Sequence, residues 1–254
     1  MWRSLRGGRW AGAVVAAGVV VILGGAPLRA QSGDGYLFGR PNASVSVRGG
    51  YSHANASSDL FDDVTRSLTL GKGDFSGGAL GSAIAVRVSD NVDVVLDAAY
   101  MSTRTRSHYR NFIDTGNREI EQTTSLQRVP STIGVKRYLA PQGRAIGRFA
   151  WIPAGTVPWV SAGGGFMWYR FRQDGDFVDA TTNAVRRDLL QSDGFTPMAQ
   201  AVAGLDVTLG ARYALTGDVR YLAVKRPGLS ADFQGYQPLD LSGVALSLGF
   251  TVRL

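Results

Sequence analysis

Cysteine is absent from this chain of 254 residues. Its absence excludes a disulfide framework, a thiolate metal site, a cysteine nucleophile and a cysteine-borne lipid anchor, and it leaves either redox compartment open. Histidine is scarce too, with His53 and His108 alone. Charge is low at 19% of residues, and beyond residue 30 no apolar run reaches the roughly 20 residues that a membrane-crossing helix needs. Glycine is abundant instead, 33 residues in a chain that is 44% apolar. That balance fits an all-β protein with many tight turns better than a helical or disordered one.

The first thirty residues read as a secretory signal peptide. Arg3, Arg6 and Arg9 form a positive start, an apolar run from Trp10 to Leu23 follows, and Ala30 is the expected last residue before cleavage. The run is too short to span a bilayer comfortably. With Arg29, four basic residues and no acidic ones fall in this segment, which leaves 23 basic against 20 acidic residues, a net charge of +3. The case for a nucleic-acid partner from overall charge disappears with the leader.

Past the leader the dominant pattern is alternation with period two, the mark of a strand with two unlike faces. It is clearest at the end, where Val244, Leu246, Leu248, Phe250, Val252 and Leu254 share one parity and Ala245, Ser247, Gly249, Thr251 and Arg253 the other. Seven more stretches repeat it: Ala43 to Ser52, Gly78 to Val88, one beginning at Val92, Leu126 to Tyr138, one beginning at Trp159, Pro197 to Leu209, and Arg212 to Val224. The small or polar parity carries Arg48, Arg87, Asp93, Asp97, Arg128, Lys136, Asp206, Asp218, Arg220 and Arg253. Tyr138 sits off the apolar parity, which predicts a bulge or a rim position.

Sandwiches and water-soluble barrels also alternate, with the apolar face inward. Three features favour the opposite sense. The connections alternate between short turns, at Ser89 to Asn91 and at Gly210 and Ala211, and long polar loops at about 53–77, 104–124, 172–195 and 225–238; outer-membrane barrels show short periplasmic turns and long outer loops. The connection 139–157 departs from this, being long where a short turn is expected. Tyr51, Tyr100, Trp168 and Tyr221 fall on the apolar parity near the outer strand ends, as an aromatic girdle requires. The charges of both signs would point inward, where they can pair and must, and an eight-stranded barrel is just wide enough to be filled by its own side chains. The expectation is an all-β, eight-stranded antiparallel up-and-down transmembrane β-barrel over 43–254, behind the signal peptide 1–30 and a periplasmic lead-in at 31–42.

Chemistry is thin. Ser52 or Ser107 as nucleophile, His53 or His108 as base and Asp59 or Asp63 as orienting acid could make a lipid-modifying centre near the outer leaflet, but no spacing motif supports it. No ligand spacing marks a metal site: "SSDLFDDVT" lacks the positions of a calcium loop, and "LGKGDFSGG" lacks the full phosphate-loop pattern. No catalytic residue, cofactor or metal is expected. The Arg-rich pieces "STRTRSHYR" and "AVRRDLL" fall in outer loops, where guanidinium groups can meet lipopolysaccharide phosphates.

The segments "FGRPNASVSVRGGYS", "IEQTTSLQRVPSTIGVKRYL" and "DLSGVALSLGFTVRL" resemble small bacterial outer-membrane β-barrel proteins of the eight-stranded type. The resemblance implies location in the cell outer membrane, insertion by the barrel assembly machinery, contact with outer-membrane lipid and lipopolysaccharide, and a monomer. It leaves three roles open: a structural or surface-interacting protein without a catalytic cycle, which is the main expectation, a narrow passive channel for small solutes, or an outer-leaflet lipid-modifying enzyme.

Overall fold

The structure is a computed structural model that describes residues 35–113, 116–147, 149–178 and 184–254. The expected signal peptide and the first residues of the lead-in lie outside the described residues. Among those described there are eleven strands: β1 (Leu37–Phe38), β2 (Ala43–Ala54), β3 (Gly77–Arg87), β4 (Val92–Ile113), β5 (Glu119–Tyr138), β6 (Gly143–Ile146), β7 (Ala150–Pro153), β8 (Thr156–Val178), β9 (Val185–Thr208), β10 (Tyr213–Val224) and β11 (Gly243–Arg253). One α-helix, α1, covers Asp59–Ser67. Strands β2, β3, β4, β5, β8, β9, β10 and β11 pair in that order, and β11 returns to β2 to close a barrel.

The register defines the closure. A path of paired residues leaves β2 at Ala43 and passes Val86, Val94, Val135, Ala162, Ala201, Tyr221 and Val244. It re-enters β2 at His53, ten residues farther on. Such a stagger tilts the strands by about 40° to the barrel axis. Every residue on this path faces outward, so one parity covers the whole outer wall. The β4–β5 ladder is interrupted twice: its register shifts at the outer end between His108 and Ile113, and lower down Ala98 pairs with Ser131 and Met101 with Arg128 but nothing pairs between them. Pro130 lies there and has no N–H to donate.

The outward wall is greasy. Leu80, Leu248, Leu246 and Ile133 are 67%, 68%, 57% and 59% exposed. The inward parity holds the buried Arg48, Asp93, Arg128, Asp206, Asp218 and Arg220. A water-soluble protein seldom exposes a continuous apolar surface of this kind, whereas a closed barrel without free edges is what a bilayer accepts. On β10 the outward face reads Tyr213, Leu215, Gly217, Val219, Tyr221, roughly 26 Å along the strand and about 20 Å along the axis. That is close to the apolar band of outer-membrane-type barrels.

Several expectations change at the ends. The stretches 104–124 and 172–195, expected as loops, are mostly strand: β4 runs 22 residues, β5 20, β8 23 and β9 24, against 11 or 12 for the other four. Their polar outer parts stay regular because the lumen-facing parity, Ile120, Gln122, Thr124 and Ser192, is covered by other segments. The stretch 53–77 is not all loop, since it contains α1 and a 3-10 turn at Lys72–Phe75. The long connection 139–157 forms the β6–β7 hairpin, and β7 also pairs with β1 from the lead-in. Tyr138 causes no bulge: its pairing with Trp159 continues the β5–β8 ladder, and its ring faces inward at the rim.

The glycines of β8 mark a close approach of strands. A Cβ on Gly165 would lie 2.1 Å from the Ser131 carbonyl oxygen, and one on Gly163 2.6 Å from that of Ile133. Gly165→Ala therefore forces backbone movement, with an expected destabilisation of about 1–3 kcal/mol. Gly78, whose Cβ would meet nothing within 4 Å, is the control. The temperature at which gel mobility changes on heating should fall for Gly165→Ala and stay put for Gly78→Ala.

Candidate functional site

The barrel's own lumen is the first place to look for a site, and three groups of side chains fill it. At the inner end, the end with both barrel termini and the short turns, Lys136 on β5 reaches Asp206 on β9 at 3.0 Å. Its ammonium lies 4.1 Å from the Trp159 ring centre and 4.7 Å from that of Tyr138. Trp159 Nε1 and Thr216 Oγ1 both donate to Asp206 Oδ1 at 2.9 Å. Tyr138 donates to Asp93 at 2.8 Å.

In the middle, Asp97 Oδ1 accepts from Arg48 at 2.7 Å and from Arg220 at 3.0 Å. Arg220 also lies 3.3 Å from Asp218 and donates to Gln200 at 3.2 Å. Two guanidiniums and two carboxylates thus alternate across the barrel, and each charge has an opposite neighbour in a place where an unpaired charge is strongly disfavoured. Beside them is a cavity of about 50 Å³, room for roughly three or four waters.

At the outer mouth the lining turns apolar. Leu60, Phe61 and Val64 form the buried face of α1, and Asp59 and Asp62 occupy its first turn. A nine-residue helix is marginal alone in water, so its packing holds it. Phe61 meets Phe75 at 4.5 Å and Phe171 of β8 at 5.9 Å between ring centres, and Phe171 meets Phe233 at 5.4 Å. Leu239 and Leu241 of the last loop complete the plug against Met101, Met167 and Leu222 of the wall. Arg128 pins it, donating to Ser52 Oγ at 3.0 Å and to the Leu241 carbonyl at 3.2 Å. Outside, Asp59 accepts from the Gln237 backbone N–H, and Asp63 accepts from the Tyr236 hydroxyl at 2.7 Å. Burial and this neighbouring carboxylate push the Tyr236 phenol up to about 12.

Of the ten charged residues expected in the lumen, the structure joins Arg48, Asp97, Arg220 and Asp218 in one group and Lys136 with Asp206 in another. The rest find neutral partners: Asp93 takes Tyr138, Arg128 takes Ser52 and a carbonyl, Arg253 takes Thr208 at 2.9 Å, and Arg87 takes Asn42 at the inner rim. Trp159, Gln200 and Thr216 share the lumen-facing parity and join these groups as neutral partners, which a list of charges alone leaves out. From the register, Tyr51, Tyr100 and Tyr221 stand within about 3 Å of one height and Trp168 roughly 7 Å farther out.

The serines and histidines considered for catalysis are not brought together. Ser52 and Ser107 are buried on the lumen side, while their neighbours His53 and His108 point outward. His53 Nδ1 lies 3.1 Å from Ser76 Oγ instead, and His108 Nδ1 lies 3.4 Å from Glu119. Asp59 and Asp63 tie α1 to the last loop and orient no imidazole. Among the described residues, no group of three or more His, Asp or Glu could hold a metal ion.

Closed register, apolar exterior and paired charges within define the class: a small, eight-stranded transmembrane β-barrel of the outer-membrane type. No family model matches the chain, and no curated protein matches it. It is similar to solved structures at 12% identity. For the N-terminal β-barrel domain of Pseudomonas aeruginosa OprF the TM-score is 0.37, covering 84% of this chain and 98% of that one. For Neisserial surface protein A the values are 0.42, 87% and 97%. For the Yersinia pestis attachment invasion locus protein Ail, in complex with the heparin analogue sucrose octasulfate, they are 0.40, 84% and 99%.

Proposed function

We propose that the chain is a monomeric integral protein of a bacterial outer membrane, inserted by the barrel assembly machinery, with a structural or surface-contact role and no catalytic cycle. The observation that carries this reading is the filled lumen. The outer mouth is packed by apolar side chains from α1 and the last loop, and the middle by a neutralised charge group. A conduit needs a continuous wet path, whereas a platform that presents its rim does not. The long outer parts of β4, β5, β8 and β9 supply such a rim, a rigid wall that stands beyond the membrane.

Purified protein in a planar bilayer tests it. The expected result is no steady unitary conductance. Reproducible current steps of one size would favour the passive-channel alternative and end this reading. Lipid A composition should likewise be unchanged when the gene is deleted; an altered acyl pattern would favour the enzyme alternative.

A further inference from the structure

The outward face of β4 changes character above its apolar stretch. It reads Leu96, Ala98, Tyr100, Ser102, Arg104, Arg106 toward the outer end. On β8 the same face reads Phe166, Trp168, Arg170, Arg172. Between these two strands lies β5, with Gln127, Ser125 and Thr123 on that face at the level of the arginines and Glu121 the next residue outward. The register aligns them: Arg104 pairs with Ser125, and Ser125 with Arg172. Two strand spacings separate β4 from β8, about 10 Å. With the strand tilt, Arg104 and Arg170 come to nearly one height, and Arg106 and Arg172 to the next, about 5 Å farther out.

We propose that Arg104, Arg106, Arg170 and Arg172 form a phosphate-binding site on the outer wall of the barrel, and that its ligand is the phosphorylated headgroup of an outer-leaflet glycolipid. Arg104 and Arg106 are exposed and make no hydrogen bond or ion pair among the described residues. Arg170 lies 5.0 Å from the Trp168 ring, and its Nε is shielded from solvent without an acceptor. Arg172 is held at 2.7 Å by Asp174, Asp193 opposite Arg170 accepts from Gln191, and Glu121 stands at the outer border beside His108; four guanidiniums against three carboxylates leave the group with an excess of positive charge. Hydroxyls of Ser125 and Thr123 lie between the arginines as further donors. Guanidinium forks match phosphate oxygens in geometry as well as charge. A lipid is favoured over a soluble anion by continuity: directly below the arginines runs the exposed apolar wall, with Phe166 60% exposed, along which acyl chains can lie. The Arg-rich piece at 184–190 is not part of the site, because Arg186 and Arg187 pair with Phe177 and Asp176, five and four residues beyond Arg172 toward the outer end of β8.

The inference rests on the outer-membrane reading, and its test separates the two. The full-length mature protein is placed in phosphatidylcholine nanodiscs doped with equal diphosphoryl lipid A and its dephosphorylated form, and the lipid that copurifies is quantified. The native protein should retain the diphosphoryl form about tenfold over the other. Changing all four arginines to Gln should bring that ratio close to one, and 1 M salt should lower it. Should the quadruple variant fail to fold, the pairs R104Q/R106Q and R170Q/R172Q, all on the outer wall, should each lower the ratio severalfold. R186Q/R187Q should leave it unchanged. A native ratio near one, no change in the folded arginine variants, or an equal fall in R186Q/R187Q would overturn the site. Displacement of the lipid by equimolar inorganic pyrophosphate would overturn the choice of a lipid. Heat-modifiable mobility is read in parallel; its absence in the native protein would count against the barrel reading instead.

Discussion

Replacing Asp97 by alanine is expected to destabilise the barrel by about 3–5 kcal/mol. The Oδ1 atom of Asp97 accepts from both Arg48 and Arg220, at 2.7 and 3.0 Å. Both guanidiniums are almost wholly buried, with side-chain exposures of 7% and 5%. Without the carboxylate, Arg48 has no opposite charge within ion-pair distance, and two positive groups face each other across the lumen. Water in the 50 Å³ cavity can solvate them only in part. The double change R48M/D97L removes one charge of each sign and leaves Arg220 with Asp218 and Gln200. It should recover most of the loss, because apolar replacement of a buried pair is often neutral. Urea unfolding in detergent micelles, followed by tryptophan fluorescence, reads both. A loss for Asp97→Ala below about 0.5 kcal/mol would mean the lumen is wet enough to screen these charges, as exposed pairs are screened.

The inner two-thirds of the barrel could be read from the sequence because one physical rule applies to it. Lipid on one side and a narrow lumen on the other force strict alternation, and β11 states it plainly from Val244 to Leu254. Above the membrane the rule lapses. On β4, Arg104, Thr105, Arg106 and Ser107 are polar on both faces, and without a change of solvent across the strand nothing in their pattern separates strand from loop. The plug was hidden for another reason. Leu60, Phe61 and Val64 have the spacing of a helix face, but nine residues give too few turns to stand out, and their receptor is assembled from distant strands. The two residues of β1 form a strand only because β7 is there to pair with them. Parity put the charged residues on one face of their strands, while their partners depended on register. Lys136 pairs in the ladder with Ser161 and meets Asp206 from another strand, a neighbourhood set by the stagger of the closed barrel.

Phe171→Ala should release the outer loops while leaving the barrel closed. Phe171 is fully buried and belongs to the rigid wall of β8, yet its ring meets Phe61, Phe75 and Phe233, and so touches both plugging segments at once. Truncating a buried phenylalanine removes about 3–5 kcal/mol of packing. Little of that loss falls on the strand ladder, whose hydrogen bonds do not involve the ring. The plug leans on it more heavily, for α1 is too short to persist alone; the last loop is also tied to the wall by Arg128, Tyr169, Gln191 and Ser192 and to α1 through Asp59, Asp63 and Tyr236, so it should open less than α1. Local opening should then rise by roughly two to three powers of ten, since about 1.4 kcal/mol is a factor of ten in an equilibrium constant. Limited proteolysis of the protein in nanodiscs, cutting within 57–74 and 226–242, measures that opening, and heat-modifiable mobility reports the barrel. Fast cleavage in the loops with unchanged mobility is the expected pair of results. Conductance should stay near zero even so, because the Arg48, Asp97, Arg220 and Asp218 group below the plug still fills the lumen. Cleavage at the native rate would show that the plug stands without its central ring, and loss of heat-modifiable mobility would show that wall and plug fold as one cooperative unit.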